Sequence, residues 1–238
     1  MFRRLIESLE VLGPLTSGER EAVESLGAVS RPFAPGAELV AEGDAPAHCR
    51  LLLEGQAFRH RTLADGRRQI MSFHTPGDMI DLEGLFLPMD HGLTALTAGE
   101  VLHLPHARLL DLMDSHPRVG RRFWTMTLKD AAIFREWILN IGRRTAYVRI
   151  AHLFCEVVVR LQRAGLVDNG RCAFPITQQH LSDATGLSAV HTNRTLQALR
   201  GEGLLSLRGG ELVVLDWPGL QAAGEFDSSY LHLRESAA

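Results

Sequence analysis

The sequence predicts an α+β protein in three parts: an N-terminal antiparallel β barrel or sandwich, a long helix, and a C-terminal winged helix-turn-helix. Three observations carry this. From about 28 to 106, short apolar runs alternate with Gly, Pro and Asp, the pattern of strands at regular spacing. From 118 to 141, the apolar period lengthens to that of a helix. From 176 to 214, two short helical segments meet at a glycine and lead into two apolar runs flanking Arg208-Gly209-Gly210. The implied boundaries are 1–116 for the β domain, 117–144 for the long helix and a hinge, and 145–238 for the C-terminal domain.

Elements follow in order. Residues 2–12 and 16–26 are expected to be short helices. Thr16 with Glu19 fits a capping box, each side chain satisfying a backbone N–H at the helix start. In the β region, Gly36, Gly43, Gly55, Gly66 and Gly77 fall at spacings of 7, 12, 11 and 11, where a coiled sheet turns its corners. Asp65-Gly66 is a hairpin turn between FRHRTLA and RRQIMSF. HARLLDLMDSHP is a short helix stopped by Pro117. The long helix then carries two apolar stripes. Val119, Phe123, Met126, Asp130, Ile133 and Trp137 share a heptad seam, which we expect to form a homodimer contact; Trp124, Leu128, Ala131, Phe134, Ile138 and Ile141 form a second stripe. Gly142-Arg143-Arg144 is the expected hinge, and residues 145–164 a further helix ending at Ala164-Gly165.

Composition excludes several classes. At 238 residues, 45% hydrophobic and 22% charged, the chain is an ordinary globular one. No stretch approaches the ~20 apolar residues that span a bilayer. Glu7 and Glu10 interrupt the N-terminal stretch where a signal peptide needs an apolar run, so we expect a cytoplasmic protein with no membrane partner. Cys49, Cys155 and Cys172 include no C-x-x-C pair, which argues against a disulfide framework and a cysteine-held metal. No nucleophile–base arrangement, phosphate loop or zinc-protease motif appears, so no enzyme, cofactor or metal is expected. Net charge is −3, unevenly spread: residues 1–142 hold 15 basic and 19 acidic side chains, whereas residues 143–216 hold 9 and 6, every basic one an arginine. A mildly basic block after an acidic one suits a domain that meets a polyanion.

The segment ITQQHLSDATGLSAVHTNRTLQALR (176–200) sharpens that reading. Thr177 caps a helix running to about Thr185, Gly186 turns the chain, and a second helix runs from Ala189 to Arg200. Ile176, Leu181, Ala184, Leu187, Leu196 and Leu199 are spaced to pack the pair together. Ser188, Ala189, Val190, His191, Asn193, Arg194 and Gln197 then lie on or near the outer face of the second helix, suited to reading base edges in a major groove. Thr177, Gln178, Gln179 and the wing would contact phosphates, fixing register rather than sequence. The expected partner is double-stranded DNA.

Over residues 12–216, and above all in PGAELVAEGD (35–44), LLLEGQAFRHRTLADGRRQIMSFHTPGD (51–78), the long helix and 176–214, the sequence resembles the Crp/Fnr family of transcription regulators. The resemblance implies that the N-terminal β domain is a cyclic-nucleotide-binding-like antiparallel β-roll (double-stranded, jelly-roll-like), followed by a dimerising helix and a domain that binds a two-fold DNA operator. Family members commonly read bases with a Glu and an Arg four residues apart. Arg194 stands at the arginine position and Val190 at the glutamate, which implies an altered half-site. In members that bind cyclic nucleotides, a Gly-Glu turn and an Arg-Ser/Thr pair hold the sugar and phosphate. Here those positions fall at Asp81-Leu82 and Gly92-Leu93, and no arginine lies between Arg68 and Arg108. A buried phosphate needs a fixed cation, so cAMP binding in the usual way is not expected. His91 is the remaining donor, and Asp81, Leu82, Glu83, Gly84, His91, Gly92 and Leu93 mark the candidate effector pocket. Other outcomes stay open at this stage: an unidentified small molecule or redox signal in the roll, and a surface that meets RNA polymerase.

Overall fold

The computed structural model describes residues 2–233. Its architecture is α+β, as expected. Helices α1 (Arg3–Glu10) and α2 (Ser17–Glu24) precede seven strands: β1 (Val29–Phe33), β2 (Glu38–Val40), β3 (His48–Glu54), β4 (Ala57–Thr62), β5 (Arg68–His74), β6 (Gly92–Ala95) and β7 (Gly99–Pro105). Helices α3 (His106–Ser115), α4 (Pro117–Arg143) and α5 (Ala146–Arg163) follow. Then come β8 (Arg171–Ala173), α6 (Gln178–Thr185), α7 (Ala189–Gly201), β9 (Leu205–Arg208), β10 (Glu211–Val214) and α8 (Trp217–Ala223). Strand orders are β1-β7-β3, β2-β6-β4-β5 and β8-β10-β9. The first and third sheets are antiparallel throughout, as is the β2–β6 pair.

Contacts divide the chain into two compact units. One holds residues up to Arg59 with His74–Ala132; the other holds His60–Phe73 with Ile133–Tyr230. In the first, the inward residues of β3 and β7 (Cys49, Leu51, Leu102, Leu104) pack with Leu5 and Leu9 of α1, Leu109 and Leu112 of α3, and Val119 and Phe123 of α4. The Thr16–Glu19 capping box forms as predicted, and Glu19 has a lowered pKa, chiefly from the bond with the Thr16 backbone N–H, which outweighs the opposing effect of burial, with Arg118 adding to the pull. Arg122 of α4 is buried and closes the C-terminal end of α1, donating to the carbonyls of Leu9 (3.1 Å), Gly13 (2.6 Å) and Pro14 (2.6 Å). Leu9 lies in the last turn of α1, where carbonyls lack a partner from the helix itself, and Gly13 and Pro14 lie in the turn that follows.

In the second unit, α5 is the central element and is buried along most of its length, from Ile150 to Leu161. Its apolar side chains Phe154 and Leu161 join Phe174, Leu181, Leu196 and Leu220 in the core. Phe154 stacks on Phe174 with ring centroids 4.9 Å apart. Glu156 is also buried and is satisfied by Trp137 Nε1 (3.0 and 3.1 Å), Tyr230 Oη (2.8 Å) and Arg160 (3.5 Å). His152 bonds the Gly224 carbonyl (3.1 Å) and Tyr230 Oη (3.2 Å).

Three local expectations are revised. α4 runs through Gly142 and Arg143, and the break falls at Arg144–Thr145, where the Thr145 side chain caps α5. Strand β8 and helix α8 lie in segments to which sequence patterning assigned no element. The third correction concerns α4 itself. The seam expected to meet a second subunit is used within the chain: Val119 and Phe123 are buried and Met126 packs against the same core; Asp130 meets Arg59 (3.5 Å); Ile133 and Trp137 are buried. The other stripe is the open one, with Trp124 64%, Leu128 50% and Ile138 71% exposed.

Two stability predictions follow from this packing. Arg122→Met should cost about 2–4 kcal/mol, since it strips charged donors from buried carbonyls, read as a fall in the denaturation midpoint. His152 is held at a pKa of about 4 by burial, reinforced by Arg144. Between that value and the ordinary 6.5, the unfolded chain binds a proton that the folded chain refuses. Stability should therefore be full above pH 6.5 and fall as pH drops towards 4. Urea titrations at pH 7 and pH 5 should show a smaller difference for His152→Asn than for wild type.

Candidate nucleic-acid interface and sensor pocket

The helix-turn-helix is built from caps and one left-handed turn. Thr177 caps α6 by accepting from the His180 N–H (3.2 Å), and the Thr177 N–H donates back to His180 Nδ1 (3.3 Å). Burial, chiefly, lowers the His180 pKa, with Arg68 adding to it, which keeps the ring neutral and able to accept that bond. Gly186 ends α6 at φ +66°, a conformation that a Cβ disfavours. Ser188 then caps α7, accepting from the His191 N–H (3.3 Å). Between the helices, buried Ser182 Oγ and Thr192 Oγ1 lie 2.9 Å apart in a hydrogen bond. Ser182 also donates to the Gln178 carbonyl (2.9 Å), so the polar pair is satisfied inside the packed helix crossing.

Four side chains on the inner face of α7, Thr192, Thr195, Leu196 and Leu199, are buried. On the outer face, Ser188, Ala189, Val190, His191, Asn193, Arg194 and Gln197 are all exposed, as are Thr177, Gln178 and Gln179 at the start of α6. Val190 is 80% exposed, unusual for a β-branched apolar side chain. The wing is a hairpin in which Glu211 pairs with Arg208 and Leu212 with Leu207. Gly209 and Gly210 both take positive φ (58° and 79°), the two-residue turn that matches strand twist. Strand β8 completes the sheet by pairing with the far side of β10.

The candidate effector residues cluster in the first unit, and the structure supplies two cations that a window on residues 77–100 misses. Arg50 comes from β3 and Arg59 from β4. Asp81 is fully buried and accepts from the Arg50 backbone N–H (2.5 Å) and guanidinium (2.5 Å). Burial pushes the Asp81 pKa up to about 6 against the pull of Arg50. Arg59 is buried as well. It donates to the Ile80 carbonyl (3.0 Å) and the Glu83 carboxylate (2.9 Å) and reaches Asp130 of α4 (3.5 Å). Glu83 also lies 3.1 Å from the buried His91 ring, which meets Asp90 at 2.6 Å. Burial works to raise the Glu83 pKa, but His91 and Arg59 outweigh it and bring the value below normal. Leu82, Gly84, Gly92 and Leu93 are buried around these charges. The signal that could have found Arg59 is Asp130: a carboxylate inside an apolar heptad seam needs a cationic partner.

All three cysteines are buried, and burial raises the pKa of each. That is the setting of an inert thiol rather than a redox sensor. Among the described residues, no group of three or more His, Cys, Asp or Glu is placed to hold a metal ion, and no helix is long and apolar enough to cross a membrane.

Comparison with known proteins places these two regions. Residues 30–116 match the cyclic nucleotide-binding domain family and residues 148–223 the Crp-like helix-turn-helix domain family. The chain belongs to the Crp/Fnr family of transcription regulators. Among its Crp/Fnr relatives, the transcriptional activator protein FnrL of Cereibacter sphaeroides is 29% identical over 188 residues, covering 78% of this chain and 75% of that protein. The nitrogen fixation regulation protein FixK of Rhizobium meliloti is 28% identical over 181 residues, covering 76% and 80%. The structure of FixK2 from Bradyrhizobium japonicum superposes with a TM-score of 0.74 at 25% identity, over 89% of this chain and 99% of that one. As a Crp/Fnr protein, the chain is a DNA-binding transcription regulator, and its family is not an enzymatic one.

The α6–α7 crossing generates a prediction. Thr192→Val keeps the shape but removes the buried bond to Ser182, and should cost about 1 kcal/mol, measurable as a lower denaturation midpoint with unchanged far-UV circular dichroism.

Proposed function

We propose that this Crp/Fnr protein acts in the cytoplasm as a homodimer that binds a palindromic operator through α7 without being switched by cAMP in the usual way. The observation that carries the DNA reading is the outer face of α7. Val190, His191, Asn193, Arg194 and Gln197 are all exposed on a helix whose inner face is locked by Thr192, Leu196 and Leu199. Arg194 is the side chain shaped to grip guanine O6 and N7, and Val190 offers methyl groups suited to the methyl of thymine. Thr177, Gln178 and Gln179 take the phosphate side. The dimer forms through the open stripe of α4, Trp124, Leu128 and Ile138, because apolar side chains at helical spacing gain most when a second helix covers them.

Independence from cAMP rests on the internal charges of the roll. Arg59, a buried cation that contacts the candidate pocket, already faces two carboxylates, Glu83 and Asp130. A cyclic phosphate would have to displace Glu83 or sit uncompensated, and burying an unpaired charge is costly.

Selection from a random duplex library, with purified protein at stated salt, tests this reading. The expected product is a palindrome with half-sites about one helical turn apart, recovered equally with and without cAMP. Arg194→Ala should lose discrimination at one base pair of each half-site, worth about 1–3 kcal/mol. A cAMP-dependent gain in operator affinity would overturn the ligand assignment.

A further inference from the structure

The β4–β5 hairpin has a built tip and a fixed seat. Asp65 shapes the tip by accepting from the Arg67 backbone N–H (3.0 Å) and from Arg67 Nε (2.8 Å), while the Leu63 N–H donates to the Arg67 carbonyl (2.8 Å). The hairpin packs in the same compact unit as the helix-turn-helix. Arg68 holds it there, meeting Asp183 of α6 through Nε (2.9 Å) and a terminal nitrogen (2.8 Å), and Gln69 donates to the Ala184 carbonyl (3.3 Å). Asp183 in turn accepts from Gln179 (2.7 Å). The hairpin is thus placed in register with α6 and with the start of α7.

Hairpin and helices enclose one open groove of about 980 Å³. Arg61, Arg67 and Arg68 line one side; Gln179, Ser188 and Ala189 line the other. The last three belong to the exposed face assigned above to DNA. Two carboxylates also line the groove, Asp65 and Asp183, and each is matched by an arginine at 2.8 Å. Arg67 stands furthest out, with its side chain 77% exposed.

From this continuity we propose that the β4–β5 hairpin is a second DNA-contacting element, its arginines gripping the sugar–phosphate backbone that flanks the segment read by α7. The occupant of the groove is a DNA strand of the same operator. The proposal rests on the reading of α7 as the base-reading helix. Arg67 and Arg61 supply charge to phosphate oxygens, whereas Arg68, engaged with Asp183, is a positioning residue. Phosphate contacts carry no sequence information, so the hairpin adds affinity and register without altering the preferred bases.

The test is the salt dependence of DNA affinity, measured for the full chain on its selected operator and on a random-sequence duplex. Each phosphate contact contributes about 0.9 to the slope of log K against log salt. Arg67→Ala should flatten the slope by about 1.8 for a dimer with two hairpins, and weaken both duplexes by the same factor. Arg67→Lys should keep the slope, because a phosphate contact needs the charge rather than the guanidinium fork. Arg67 is exposed, so the variants should keep wild-type melting temperatures. If Arg67→Ala and Arg61→Ala both retain wild-type slope and affinity while wild type binds its operator, the hairpin is no DNA contact and the proposal falls alone. If wild type binds no duplex, the proposal falls together with the reading of α7.

Discussion

The guanidinium of Arg59 is the constraint around which the N-terminal half of this protein is organised. A buried cation with no counter-charge would be intolerable, so its surroundings must supply carboxylates in fixed places. They come from two different elements, Glu83 from the turn before β6 and Asp130 from the middle of α4. One side chain therefore ties a sheet strand, the candidate effector segment and the long helix. Arg50 and Asp81 form a second such pair in the same region, and there the carboxylate is the fully buried partner. The charged groups around the candidate pocket are thus engaged with one another. Any signal acting here has to work by competing with these pairs, and can shift the protein only by the difference in its affinity for two conformations.

The DNA-binding half relies on a different economy. Its charged groups face outward and its inner polar groups are small and mutually satisfied, as in Ser182 with Thr192 and in the caps at Thr177 and Ser188. Short helices of 8 and 13 residues gain little stability alone. Caps, one glycine turn and packing on α5 hold them. The consequence is a rigid presentation of Arg194 and its neighbours.

Local chemistry was the legible part of the sequence. Thr16–Glu19, Thr177, Gly186 and Gly209-Gly210 act through residues one to three positions away, so each could be placed from the chain alone. The two stripes of α4 were legible as stripes, but heptad spacing states only which residues share a face, not which face is covered. Asp130 sat in the supposed dimer seam as a clue that this face met a charge within its own chain. Arg50 and Arg59 were missed for the same reason: they reach the candidate pocket across 31 and 24 residues of sequence, beyond any local pattern. Strand β8 is only three residues long and is defined by its partner β10, not by its own alternation.

The fate of the three thiols has a practical side. Each is buried and held in its protonated form, one in the roll, one on α5 and one on β8. The folded molecule is therefore silent towards maleimides and other thiol reagents in its native state. A single cysteine introduced on the outer face of α4 or at the hairpin tip would be the one reactive handle on the chain. Spin or fluorescent labels could then be attached there and nowhere else without first removing any native residue.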